Sequence, residues 1–156
     1  MTVRLLAQGD APDLQRYCFS RNTLEETQQR VEDALQRQEN GELLQYVAEV
    51  DGHTVGTVTL EKASGALWAH RQELWSMVVA EEYQRRGIAR AMFNACVEEC
   101  RKSGAEMITL CVRGGEPAEE VYLKLGFQRY GKLERGLIEP WGECKVFDEV
   151  LMVYTL

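Results

Sequence analysis

The chain has two histidines, no Cys-x-x-Cys pair, and nothing approaching the ~20 consecutive apolar residues of a membrane span. Its cysteines (Cys18, Cys96, Cys100, Cys111 and Cys144) are odd in number, which argues against a disulfide framework. With only His53 and His70 to complete a ligand set, structural zinc is set aside as well. Cys96 and Cys100, four apart on an expected helix, read as buried, reduced thiols. Basic residues are also in deficit: 18 Lys and Arg against 25 Asp and Glu give a net charge of −7. Nucleic-acid binding rests on cations that neutralise phosphates, so this balance argues against it. The acidity fits a well-solvated surface, or a protein that receives a cationic small molecule or basic peptide. The phosphate-loop lysine of Walker proteins is missing, and so is a Gly-x-Gly-x-x-Gly turn. The first ten residues hold too short an apolar run for a signal peptide. With no repeat, low-complexity tract or linker, the expectation is one domain over residues 1–156, soluble and cytoplasmic, without a membrane partner.

What is present is an ordinary globular balance, 45% hydrophobic and 28% charged. Val3–Leu6 reads as a first strand. Asp10 is placed to cap a helix that opens at Ala11-Pro12, where proline gives up no hydrogen bond. Thr23-Leu24-Glu25-Glu26 is a capping box that starts a second helix with Leu24, Val31, Ala34 and Leu35 on its inner side. Tyr46–Val50, Asp51-Gly52 and Thr54–Leu60 form a hairpin signature, since Asp-Gly suits the positive φ angles of a type I′ turn. Glu73–Val79 is a further strand. Ile88–Ser103 carries a helical stripe of Ile88, Ala91, Met92, Ala95, Cys96 and Cys100, and Gly104 stops it. The apolar run Met107–Val112 reads as a strand covered on both faces. A short helix runs from Pro117 to Gly126, and Phe127–Leu133 and Val146–Leu156 close the chain as strands. The order βααβββαβαββ specifies an α/β (α+β) fold with a mixed sheet and helices on its faces.

Two segments carry chemistry. In Val78-Val79-Ala80-Glu81-Glu82-Tyr83-Gln84-Arg85-Arg86-Gly87-Ile88-Ala89-Arg90 a strand runs into a tight turn that becomes a helix start. The first amides of a helix lack internal partners, and the dipole adds positive potential, so this turn can seat a pyrophosphate. Gly87 and Ala89 keep the rim low, and Arg85, Arg86 and Arg90 add charge. One helix and one strand later comes Ala118-Glu119-Glu120-Val121-Tyr122-Leu123-Lys124-Leu125-Gly126-Phe127.

This pairing resembles the GNAT superfamily of acetyl-CoA-dependent N-acyltransferases. Gln84, Gly87 and Ala89 match its Gln/Arg-x-x-Gly-x-Gly/Ala loop. Ala118, Tyr122, Lys124, Gly126 and Phe127 match its later Ala-x-x-x-Tyr-x-Lys-x-Gly-Phe helix. The close matches cover Glu73–Phe127. The resemblance implies a mostly antiparallel sheet of about seven strands flanked by about four helices, with acetyl-CoA as cofactor, an amine as acceptor, and a possible homodimer through an exposed terminal strand such as Val146–Leu156. It implies that the amides of Arg86 to Arg90 hold the pyrophosphate. The backbone of Val78, Val79 and Ala80 would pair with the pantetheine arm as an added strand. Lys124 would lie near the distal phosphate.

Acyl transfer to an amine needs a group to take its proton, a donor for the oxyanion and an acid for the departing thiolate. Tyr122 matches the family's acid position, and a backbone amide near Val79 is the oxyanion donor. Glu73 lies eleven residues before Gln84, the spacing of the catalytic glutamate in the histone-acetyltransferase branch. Glu73, His70 and a water chain remain alternatives for the base, whereas a buried strand cysteine such as Cys111 is a poor nucleophile. Gly115 stands where many members have Asn, which leaves that contact to another group or to water. The acceptor is expected between the early helices and the loop joining the last two strands. Glu134, Glu139, Trp141, Glu143 and Asp148, with Trp68 and His70 nearby, would suit a cationic amine there. A non-catalytic acyl-CoA-binding sensor or regulatory module on the same fold is the alternative function.

Overall fold

The computed structural model describes residues 1–156. Local signals fix most element starts. Thr23 accepts from the Glu26 amide at 3.1 Å while Glu26 accepts from the Thr23 amide at 2.7 Å, and this reciprocal cap opens α2 (Leu24–Glu39). Asp51 and Gly52 take φ of 53° and 83°, which folds β2 (Leu43–Val50) back on β3 (His53–Lys62). Gly104, at φ 75°, stops α3 (Ile88–Ser103), and Gly126 stops α4 (Pro117–Leu125). The remaining strands are β1 (Thr2–Leu5), β4 (Arg71–Val79), β5 (Met107–Arg113), β6 (Gln128–Ile138) and β7 (Val146–Thr155).

The seven strands form one sheet in the order β1-β2-β3-β4-β5-β7-β6, antiparallel except for β4 and β5. This is the expected mixed, mostly antiparallel sheet with four helices. Beneath α3 and α4 lies the larger core, including Met92, Phe93, Ile108, Leu110, Val150 and Met152. Cys96 and Cys100 are buried within it, and burial pushes their thiols up to about 12 and about 11. On the opposite face, Leu6, Ala11, Leu14, Val31 and Val47 form a smaller core under the N-terminal helices.

Three expectations are corrected. The first helix is only α1 (Ala11–Asp13), and it widens at once into a π-turn over Leu14–Cys18. Asp10 does not cap it. Its buried carboxylate instead accepts from Arg4, the Ala7 amide and the Thr54 hydroxyl at 2.7–2.9 Å. Burial opposes the charge, yet these donors together hold the Asp10 carboxyl below its ordinary value. Finally, β7 is not an edge: it lies between β5 and β6, which leaves β6 as the free margin.

The central feature is a parting of strands. β4 and β5 pair only from Arg71–Met107 to Glu73–Thr109. The β3–β4 register then slips between Thr57 and Thr59, so one residue of β3 faces both Ser76 and Met77. Ser76 sits at φ 50°, an uncommon angle for a serine, and marks the bulge. A bulge bends its strand, and β4 turns away from β5 at this point.

Candidate functional site

A cavity of about 460 Å³ fills the parting on the α3–α4 side. β4 contributes Met77 and Val79 to its wall, the turn and α3 contribute Tyr83, Gln84, Arg85 and Gly87 to Arg90, and α4 contributes Pro117, Ala118, Val121, Tyr122, Lys124 and Leu125. The Ala80 amide donates to the Val55 carbonyl at 2.9 Å, towards β3. Successive peptide groups of a strand point to opposite sides, so Val78 and Ala80 spend theirs on β3. The peptide groups of Met77 and Val79 face the opening. Met77 was not anticipated from the sequence, though strict alternation back from Val79 would have found it. The Gln84 amide donates to the Val79 carbonyl at 3.1 Å, tying the turn to the strand end.

Between strand and helix the backbone takes two left-handed residues, Arg85 at φ 60° and Gly87 at φ 81°. A Cβ on Gly87 would meet nothing within 4 Å, so its surroundings are open and its backbone angle is the constraint. The first α3 bond runs from the Ala91 amide to the Gly87 carbonyl at 3.0 Å. The amides of Ile88, Ala89 and Arg90 therefore have no partner within the helix, at the end where its dipole is positive. Gln84, Arg85, Gly87, Ile88, Ala89, Arg90 and Lys124 all line the cavity. Arg86 does not: its guanidinium stacks over Tyr83 at 5.0 Å and donates to the Glu82 carbonyl. Arg90 reaches across to the Lys124 carbonyl and ties α3 to the end of α4.

Tyr122 lines the same cavity, with its ring packed edge-on to Phe127 at 5.6 Å. Burial, with a smaller contribution from Cys111, pushes its phenol up to about 12, so it stays protonated at neutral pH. Glu73 lies outside this cavity, at the last β4–β5 pair, about a third exposed and 4.0 Å from Arg71. His70 precedes β4, three residues or about 10 Å before Glu73 and on the side away from the cavity. Gly115 gives its amide to the Glu119 carboxylate at 2.8 Å, and Glu119 also holds Arg129. That carboxylate closes the turn within the protein itself.

A larger depression of about 600 Å³ lies on the far side of α4's start, lined by Gly114, Gly115, Glu119, Arg129, Gly131, Lys132, Asp148 and Val150. Its charges already pair with one another, Glu119 with Arg129 and Lys132 with Asp148. It offers few unspent groups to a ligand.

The smaller cavity offers free helix amides at one end and an open strand edge along one wall, the groups that bind an anion and an extended chain. The model of the acetyltransferase (GNAT) family matches residues 11–127, three quarters of the chain. The chain belongs to this family. Among solved structures, a ribosomal-protein-alanine N-acetyltransferase from Brucella melitensis superposes with a TM-score of 0.81 at 22% identity, over 100% of both chains. The yncA protein of Salmonella typhimurium, solved with acetyl-CoA, gives 0.82 at 17% identity, covering 99% of this chain and 92% of that one. A phosphinothricin acetyltransferase from Sinorhizobium meliloti, in complex with acetyl-CoA, gives 0.80 at 17% identity, covering 99% and 88%. At these identities the likeness establishes the GNAT fold. No helix is long and apolar enough to cross a membrane.

Several of the expected acceptor groups are placed elsewhere. Trp68 and His70 precede β4, away from the parting. Glu139 is paired with Arg113, and Asp148 with Lys132 and the Arg135 amide.

Proposed function

We propose that this GNAT protein is an N-acetyltransferase that moves the acetyl group of acetyl-CoA directly to a primary amine in a ternary complex. The single observation that carries this reading is the cavity in which the free α3 amides, the outward peptide groups of β4 and the protonated Tyr122 phenol share one wall. In it, the amides of Ile88, Ala89 and Arg90 bind the diphosphate, with Arg85 and Lys124 adding positive charge. The peptide groups of Met77 and Val79 align the pantetheine arm, and the amide near Val79 that is left over faces the developing oxyanion.

Acetyl-CoA supplies the acetyl thioester. The acceptor nitrogen bonds to the thioester carbon and the C–S bond breaks. Tyr122 gives its proton to the sulfur, and Glu73 takes the proton that the amine loses. Glu73 is reached from the opposite side of the sheet, so acceptor and donor approach the parting from different faces. An amine carrying positive charge, on a small molecule or a peptide, suits the net charge of −7.

The test is thermal stability with and without acetyl-CoA, using ATP and NAD as controls. A ligand at 100 times its dissociation constant adds about 2.7 kcal/mol, expected here as a rise of roughly 5–10 °C. A rise confined to acetyl-CoA, followed by thiol release on adding amines, supports the reading. No rise removes the cofactor, and the enzyme with it. A rise with no thiol release from any amine leaves only a CoA-binding module.

A further inference from the structure

On the face of the sheet away from α3 and α4, the N-terminal helices pack on β2 and β3. β5 and β7 keep half-buried residues there, while Val150 and Met152, alternating with them, are buried in the core on the other face. Side chains of a strand alternate between faces. Glu73, Cys111 and Glu149 therefore share this open face. Glu73 is paired with Thr109 and Glu149 with Arg113, so each is a diagonal neighbour of Cys111, which lies between them. Burial, then the facing Glu149 carboxylate and more weakly Glu73, push the Cys111 thiol up. It is thereby kept neutral.

Glu149 has two features that a solvated surface glutamate does not need. The first is a fitted seat. β6 bulges as it passes Glu149, with Leu133 opposite Glu149 and Leu137 opposite Phe147, so three residues of β6 span the place of Asp148. One of them is Gly136, where a Cβ would lie 2.7 Å from the Glu149 Cβ and 3.2 Å from its Oε2. Any side chain there would displace the carboxylate. The second is that its charge is left uncompensated. Of the nearby cations, Arg113 pairs with Glu139, Arg129 with Glu119, and Lys132 with Glu134 and Asp148, while Arg135, in the bulge itself, makes no ion pair with Glu149. Glu73, by contrast, has Arg71 beside it. A half-buried carboxylate without a cation is an incomplete ion pair, and an ammonium completes it.

We infer that Glu149 is the acceptor's anchor: it binds a positive charge on the amine substrate, placed so that the reacting nitrogen lies between Glu73 and the Tyr122 side of the parting. Glu73 and Glu149 stand two strand spacings of about 4.8 Å apart across the sheet and four residues of about 3.3 Å apart along it, so their backbones are separated by roughly 16 Å. An acceptor with ammonium groups at the two ends of an extended aliphatic polyamine chain suits that interval, with one group at Glu149 and the other at Glu73. The inference rests on the N-acetyltransferase reading. It goes beyond that reading in naming a specificity-determining residue and in selecting polyvalent amines over amines that carry a carboxylate.

The probe is spermidine, titrated calorimetrically into the CoA-saturated protein, wild type against Glu149→Gln and Glu73→Gln. Binding to the wild type is expected, weakened by about tenfold or more in Glu149→Gln, as for loss of a charge-assisted hydrogen bond. In steady state the same variant should raise KM for spermidine with kcat little changed, whereas Glu73→Gln lowers kcat. A Gly136→Ala variant that keeps its acetyl-CoA stabilisation should weaken spermidine in the same direction. Equal spermidine affinity in wild type and Glu149→Gln, or no binding to the CoA-loaded wild type, overturns the inference and leaves the cofactor site standing. Failure of the wild type to bind CoA at all overturns the N-acetyltransferase reading instead.

Discussion

The two cavities on either side of α4 differ in what their polar groups are occupied with. In the larger one, Glu119 already holds both the Gly115 amide and Arg129, and Lys132 faces Asp148. In the smaller one, the amides at the start of α3 and the β4 peptide groups beyond the bulge have few internal partners. Volume does not decide between them, whereas unspent hydrogen bonding favours the smaller. Polar groups that the fold leaves unpaired are met by water or by a ligand. Both cavities border a bulged strand and a left-handed residue, Ser76 and Gly87 at one and the β6 register shift and Gly115 at the other, so backbone irregularity does not distinguish them.

Substitutions at the two cavities should separate accordingly. The largest effect is expected from Gly87→Glu, which sets a negative charge at the α3 start and a side chain at φ 81°. Stabilisation by acetyl-CoA should disappear, as read from the melting shift, and a retained shift would move the diphosphate elsewhere. Next is Tyr122→Phe, which should cut kcat by about 10²-fold with acetyl-CoA affinity unchanged, the size expected for removing a general acid. The sign of the pH dependence follows from burial. A phenol raised to about 12 keeps its proton across the working range, so kcat should show no alkaline loss assignable to Tyr122 below that pH. A limb near pH of about 10 in the wild type, absent from the variant, would mean a solvated phenol. The smallest effect is expected at the larger cavity. Glu119→Gln should lower the melting temperature by about 2–4 °C, from one weakened hydrogen-bonded pair, and leave the acetyl-CoA shift intact. An equal loss of cofactor stabilisation there would erase the distinction between the cavities.

What the sequence revealed depended on how far apart the interacting residues are. Thr23 and Glu26 are three residues apart, Asp51 and Gly52 are adjacent, and Gln84 to Ala89 forms one turn, so each could be recognised from local pattern. Asp10 looked like a helix cap because its deciding partner, Thr54, is 44 residues away. Arg86 was grouped with the phosphate-binding residues by charge, yet the ring of Tyr83 draws its guanidinium out of the cavity. The bulge at Ser76 has no glycine to announce it. Glu149, the proposed anchor, does not stand out in the sequence from Asp148, one residue away, because alternation tells which residues share a face but not which face is open. That assignment needed the position of β7 between β5 and β6.

The same position of β7 bears on how the molecule can be completed during synthesis. β6 has no neighbour other than β7, and β7 is made after the other six strands. Until β7 emerges, β5 has a bare margin over Met107–Arg113 and the segment Gln128–Ile138 has nothing to pair with. The turn before α3 and α3 itself precede this point, so the proposed acetyl-CoA half can assemble while the half that bears Glu149 is still an open edge. β7 acts as a keystone: a chain shortened after Ile138 leaves β6 without its pairing strand and loses Glu149, the proposed anchor, with it.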